Sequence, residues 1–464
     1  MHTTFRQWAK RQFCIIAGIH ENSFEHWIGW GVKKASREQA VVVPNYTPEN
    51  FDKIAPKMGM NGNKPWLTWT DAVQAPPYEI VDGVLIFHFD VISALGWILA
   101  GYEEVLHSSK RDGFGRWAEG NSLLAKHDLT RLPIINIWMM VVRNAITGKG
   151  GKPETLWPEG KRFAVALTHD VDNPYYATMP HIFKLIHGLL RPSEPNNFQH
   201  SIIKVAGSLV ILAKDRFKSP KGFTKALERD IESGFKSTVF VIPTAKMFPY
   251  SQVNDPIYTL NHSTLQASLH MARENGIEIG LHTLMNTAPH ADRYREQREF
   301  LAQHSQQDII SNRHHYWNIS RRDTAGAFIS MAESGFKFDS SVAFYDRINF
   351  RRSTAWPYHG FSPQHKCAID IIEIPPSFMD EWMDASDPAG KAVDYLDSVA
   401  DYCGVAVLNW HDKCFNNRHF QHYGQAYIQI IKHLETRDDV WVATISEIGE
   451  WWKQRSDKLF DGGK

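Results

Sequence analysis

Five apolar or small residues, Phe163-Ala-Val-Ala-Leu167, are followed at once by Thr168, His169, Asp170 and Asp172, and Pro174 blocks further ladder pairing. Unbroken apolarity over so short a run predicts a strand buried on both faces. The polar residues then fall at its carboxyl end. Similar runs predict strands at 163–167, 237–242, 277–281, 309–312, 336–338, 369–374, 404–409 and 440–444. Between them, helical apolar spacing predicts helices near 181–190, 199–214, 222–233, 264–275, 292–304, 322–334, 388–402, 424–435 and 446–453. This alternation predicts an α/β domain with a largely parallel sheet covered by helices, and the number of strands fits a closed or partly open barrel. The stretch 191–221, with its Pro-rich ends, reads as an inserted flap.

Upstream of residue 150 the pattern differs. Residues 1–35 read as irregular to partly helical, and Ala40-Val-Val-Val-Pro44 as a strand ended by proline. Ile80 to Phe87 reads as a hairpin about Asp82-Gly83. Amphipathic spacing predicts a helix over 90–106 and another from Leu132 to Val142. Gly148-Lys-Gly-Gly-Lys-Pro153 reads as a linker, dividing a smaller mixed α/β domain (1–150) from the alternating domain (155–464).

The 464 residues leave room for two domains. Lys plus Arg and Asp plus Glu both number 51, so no net field favours nucleic acid or an anionic membrane as partner. Cys14, Cys367, Cys403 and Cys414 are scattered and read as reduced thiols. The apolar run from Phe13 to Gly18 is too short for a secretory segment, and no later run approaches membrane length. The expectation is a cytoplasmic protein with no membrane span. The 16 Trp residues supply core and suit stacking on sugar rings.

Chemistry collects just past the predicted strands: Asp170 and Asp172; His282 and Asn286; Arg313, His314, His315 and Tyr316; Trp410, His411 and Asp412. A parallel sheet gathers such residues at one rim. Asp with neutral imidazole suits a zinc-like divalent ion that keeps a position open for water. A second Asp can act as base, an Arg can hold it ionised, and a His can protonate a leaving group. Metal-assisted hydrolysis follows as the reaction class. Glycoside hydrolysis by two carboxylates is the rival, disfavoured because Asp170 and Asp172 stand one residue apart.

Thr168-His169-Asp170-Val171-Asp172 resembles the first motif of the polysaccharide deacetylase family, metal-dependent carbohydrate esterases with a deformed (β/α) barrel. In the same order, Lys236–Val241 resembles that family's second strand, and Glu278–His282 the approach to its histidine motif. Arg313-His-His-Tyr316 resembles its arginine motif and Leu408-Asn-Trp-His411-Asp412 its final histidine motif. The 90–135 region resembles an accessory domain that precedes the barrel in a bacterial subgroup.

The resemblance implies a hydrolase that removes an acyl group, above all N-acetyl, from a sugar, nucleotide sugar or glycan. Asp170 would be the base, Asp172 and His282 ligands of a divalent ion such as zinc, Arg313 the partner of Asp170, and His411 the proton donor. Asp412 could orient His411. The family's histidine motif has a second His four residues on, where this chain has Asn286, a poor zinc ligand. Three readings stay open: Asn286 takes a harder ion; His314, His315 or His290 completes the site; or turnover is lost and the protein binds carbohydrate or regulates. Tyr316, Trp356, Tyr358 and Trp410 are candidate walls of a sugar pocket.

Overall fold

The computed structural model describes residues 4–460 apart from 33–34, 71–75, 110, 173, 175–221, 244–247, 253–254, 257, 321–322, 346, 384–385 and 416–420. The helices predicted at 181–190 and 199–214 and the inserted flap lie outside the described residues.

In the N-terminal region β1 (Ile28–Trp30), β2 (Val41–Val43), β6 (Val84–Phe87) and β5 (Tyr78–Val81) lie side by side in that order, while β3 (Lys57–Asn61) and β4 (Lys64–Thr68) form a separate hairpin. β5 and β6 turn at Asp82 and Gly83, both at positive φ (51° and 74°), as an Asp-Gly hairpin requires. The opening residues are more regular than the sequence pattern suggests. Phe5–Ala17 is a helix capped by a reciprocal Thr4–Gln7 box, with Gln7 N donating to Thr4 Oγ1 at 3.4 Å. The helix predicted over 90–106 is two, Val91–Ala100 and Tyr102–Leu106, broken at Gly101 (φ 76°). A side chain at Gly101 would meet the Arg352 guanidinium as well as the left-handed backbone.

The large sheet runs β12 (Tyr358–Ser362), β13 (Cys367–Glu373), β11 (Phe338–Asp339), β10 (Ser311–His314), β9 (Glu278–Thr283), β8 (Ser237–Val241), β7 (Phe163–Val171), β15 (Val405–His411) and β14 (Phe378–Met379), with β16 (Val440–Val442) also paired to β7. Within it β12–β13 is the one antiparallel pairing among the described residues. No ladder there joins β14 back to β12, so hydrogen bonds leave the sheet open.

The register builds the site. His411 lies opposite Asp170, and Arg313 opposite His282. The strands run further than the apolar pattern suggests: β7 reaches Val171, β9 Thr283, β10 His314 and β15 His411. Polarity did not end these strands because their polar side chains satisfy one another inside the fold.

The two segments share one apolar core. Phe5 and Trp8 pack on Phe361 at ring separations of 6.0 and 4.8 Å, and the backbone N–H of His359 donates to Gln12 Oε1 at 3.2 Å. The 148–153 stretch, which reads as a linker in sequence, therefore joins segments packed against each other. Among the described residues no helix is long and apolar enough to cross a membrane.

Candidate metal and acid–base centre

The nine residues of β7 are all buried, and strand alternation sends Thr168 and Asp170 to one face and His169 to the other. On that other face His169 meets Asp230 at 2.9 Å and the Tyr427 hydroxyl at 3.2 Å, deep under the helices. Asp170 faces the rim. Arg313 Nη1 donates to Asp170 Oδ1 at 3.1 Å, to Thr168 Oγ1 at 2.7 Å and to Asn409 Oδ1 at 3.0 Å. Asn409 Nδ2 in turn donates to Asp170 Oδ2 at 2.8 Å. The far side of the guanidinium is fixed by the Ser340 carbonyl and hydroxyl, both at 3.0 Å. Burial opposes charge on Asp170, but His282, Arg313 and His411 outweigh it and hold the carboxyl below its usual range.

Three further side chains converge beside it. Asp172, His282 and His315 offer ligand atoms that lie within 4.8 Å of one another. His282 Nδ1 sits 2.9 Å from the Arg313 carbonyl, which can only accept, so its proton is there and Nε2 carries the free lone pair. His315 Nδ1 is engaged by Asp255 Oδ1 at 3.1 Å, and Asp255 is itself fixed by the Met285 and Gln252 N–H groups. The two Nε2 atoms face Asp172 at 3.4 and 3.8 Å. Asp172 Oδ1 is buried and accepts no hydrogen bond among the described residues. A buried acceptor left open between two oriented imidazoles fits a divalent cation. Burial opposes the Asp172 charge, yet His315, His282 and His411 hold its carboxyl far below the ordinary range.

Opposite stands a second dyad. His411 Nδ1 meets Asp380 Oδ1 at 2.9 Å, and the His411 backbone N–H donates to Asp380 Oδ2 at 2.7 Å. His411 Nε2 points toward Asp172 at 3.7 Å. Burial disfavours the imidazolium, but Asp380 reverses this and raises the His411 pKa to about 10. Asp380→Asn is expected to pull that pKa down toward the ordinary imidazole range, read by NMR titration of the imidazole; an unmoved titration would refute the assignment.

Asp380, not Asp412, holds His411. Nothing in the apolar pattern pointed to Asp380, because β14, which precedes it, is only two residues long. Asp255 is too isolated in sequence to stand out, and Asn409, although inside the Leu408–Asp412 motif, has no role in the sequence reading.

Asn286 is not among the residues lining the cleft. Its Nδ2 donates to the Tyr250 carbonyl at 3.4 Å. Two residues four apart share a face on a helix, but here β9 runs to Thr283 and a turn follows, so that helical argument does not hold for His282 and Asn286. His290 occupies the N-cap position of the helix Ala291–Ser305, without a side-chain capping bond. His314 is occupied by the Ser341 and Tyr294 hydroxyls, and burial pushes its pKa down to about 3.

The cleft, about 180 Å³, is lined by Asp170, Asp172, His282, His314, His315 and His411 together with Tyr316, Trp317, Tyr345, Met379, Glu381 and Lys413. Tyr316 is thus at the site, whereas Trp356, Tyr358 and Trp410 are core residues rather than pocket walls. Trp410 precedes His411 on β15, so alternation turns it to the opposite face, where it stacks on Phe378 at 5.7 Å. Trp356 is buried with its Nε1–H on the Cys403 carbonyl at 2.7 Å, and Tyr358 lies in the same core.

Residues 35–150 match a family of unknown function, DUF7033. No curated protein matches the chain. Among solved structures, the chain is similar to a putative polysaccharide deacetylase from Mycobacterium smegmatis, at 19% identity and TM-score 0.44 over 66% of this chain and 95% of that one. It is also similar to a probable polysaccharide deacetylase from Pseudomonas aeruginosa PAO1, at 14% identity and TM-score 0.42 over 67% and 97% of the two chains. PuuE allantoinase is similar at 14% identity and TM-score 0.41 over 66% and 96%.

Proposed function

We propose that the protein is a metal-dependent hydrolase that removes an acyl group, N-acetyl above all, from a sugar, nucleotide sugar or glycan, on a deformed (β/α) barrel of the polysaccharide deacetylase type. One observation carries this reading: the Asp172–His282–His315 cluster lies between a carboxylate paired to Arg313 and an imidazole paired to Asp380. One carboxylate and two imidazoles are a donor set of catalytic zinc, with a position left open. When bound there, such an ion would polarise an acyl carbonyl and acidify a water molecule.

The chain's own groups divide the proton work. Asp170, kept ionised by Arg313, takes the proton of the attacking water. His411, kept protonated by Asp380, gives one to the departing amine. His315 supplies the imidazole that Asn286 cannot, which removes the main ground for reading the protein as inactive. Within the cleft Lys413 is already paired with Glu381, so the lining favours the sugar end of a substrate over its phosphates.

The purified protein is expected to hold about one zinc-like ion per chain and to release acetate from N-acetylated sugars. Asp172→Ala and His282→Ala should each lose both metal and acetate release. A metal-free protein whose carbohydrate affinity survives both substitutions would be a binding protein, and new reducing ends in place of acetate would mark a glycoside hydrolase.

A further inference from the structure

We propose that Arg116, in the N-terminal domain, is a positioning residue for the metal site: it fixes the Tyr316–Trp317 turn and thereby sets the place of His315. The inference rests on the reading of Asp172, His282 and His315 as ligands of a divalent cation.

Tyr316 and Trp317 are consecutive non-glycine residues at φ 58° and 55°. L-residues enter that region singly and at a cost, because Cβ crowds the carbonyl oxygen, so two in succession hold only where neighbours enforce them. The pair follows His315 directly, so relaxation of the turn would carry the His315 backbone with it. The restraint comes from the other domain. Arg116 Nη1 donates to the Tyr316 carbonyl at 3.0 Å, and the Phe114 ring stacks on the Tyr316 ring at 5.3 Å.

Arg116 is itself held in place. Its Nε donates to Asp112 Oδ2 at 2.7 Å, its side chain is 9% exposed, and its guanidinium lies over the Tyr345 ring at 4.2 Å. Asp112 Oδ1 accepts from the backbone N–H groups of Phe114 and Arg116, each at 2.9 Å, which closes the 112–116 loop on the same carboxylate. A planar guanidinium so fixed delivers its remaining donors in one direction, which a lysine cannot copy. His315 is thus tethered twice, through its ring by Asp255 and through its chain by Arg116. Residues 112–116 fall inside the 35–150 segment matched by the family of unknown function, so this contact gives that domain a task at the site.

The test measures zinc affinity by competition with a chromophoric chelator, and the visible spectrum of the Co(II)-loaded full chain. Arg116→Ala is expected to weaken zinc binding about 10-fold, at the low end of what loss of a ligand-orienting contact costs, and to alter the Co(II) bands. Arg116→Lys should recover only part of this. Phe114→Ala removes a partly exposed ring, keeps the fold measurable, and should weaken zinc in the same direction by a smaller factor. Glu104→Gln, at the same domain interface but without contact to Tyr316, should lower stability and leave zinc affinity in the folded protein unchanged. Wild-type zinc affinity and Co(II) spectra in folded Arg116→Ala and Phe114→Ala, with binding lost in His315→Ala, would overturn the inference and leave the metal reading standing. Zinc binding that survives Asp172→Ala and His282→Ala would overturn both.

Discussion

Asp170→Asn is expected to lower kcat for acetate release by about 10³-fold, within the range that positioned general-base catalysis supplies, while zinc content stays at the wild-type level. The substitution keeps the side chain's shape and removes its basicity. Metal is retained because Asp172, His282 and His315, not Asp170, form the ligand cluster. KM should change little, since the lost proton acceptor acts in the transition state. The same variant should also unfold more easily. Arg313 is fully buried, and Asp170 is the carboxylate it bonds directly, so the amide leaves the guanidinium without its neutralising partner. The new amide must further turn its NH2 group toward one of two donors, Arg313 Nη1 or Asn409 Nδ2, because Asn409 Oδ1 is committed to Arg313. A single-turnover assay paired with a thermal melt checks both effects. A kcat within tenfold of wild type, in a protein that retains its metal, would remove Asp170 from the base role.

The carboxyl-end rim was legible in the sequence because burial on both faces leaves an unmistakable apolar run, and the residues after it have nowhere to go but the rim. Asp170, Asp172, His282, Tyr316 and His411 all line the cleft from that pattern, and Arg313 lies buried behind Asp170. Side-chain direction was less legible. Trp410 and His411 are neighbours in sequence and lie on opposite faces, and periodicity of two cannot be read where both faces are apolar or aromatic. Asn286, expected beside His282, is not among the cleft-lining residues, and its spacing misleads for a related reason. Spacing of four means one face only if the backbone is helical, and the chain after Thr283 turns instead. Asp380 shows the remaining gap: a two-residue strand carries no periodic signal, yet it delivers the acid that orients His411. The N-terminal segment likewise reads as separable by its Gly-rich boundary, although Phe5, Trp8 and Gln12 pack on β12. Sequence spacing reports local breaks in the chain and not the burial that spans them.

That interface carries the second large effect. Glu104→Gln is expected to cost about 3–5 kcal/mol of folding free energy, the usual result of removing one member of a buried ion cluster. Glu104 is 2% exposed and lies between Arg351, at 2.6 Å, and Arg352, at 2.9 Å, with the Thr324 hydroxyl donating at 2.7 Å. Burial alone would raise its pKa, but Arg351 and Arg352 prevail and lower it to about 2. A depressed carboxyl pKa stabilises the fold above its unfolded value near 4.5, and that stability is lost as pH falls toward about 2. The wild-type protein should therefore lose the contribution of Glu104 across that acid window, whereas Glu104→Gln should lack that part of the pH dependence. The cost is a penalty of incompleteness rather than the worth of three charges. Replacing Glu104, Arg351 and Arg352 together by apolar residues of similar volume should recover most of the loss, because no uncompensated charge is then left buried. Urea unfolding of the single and triple variants measures both quantities. A Glu104→Gln loss under about 1 kcal/mol, the value of an exposed pair, would mean that water reaches the two guanidiniums and that this ion cluster does not hold the domains together.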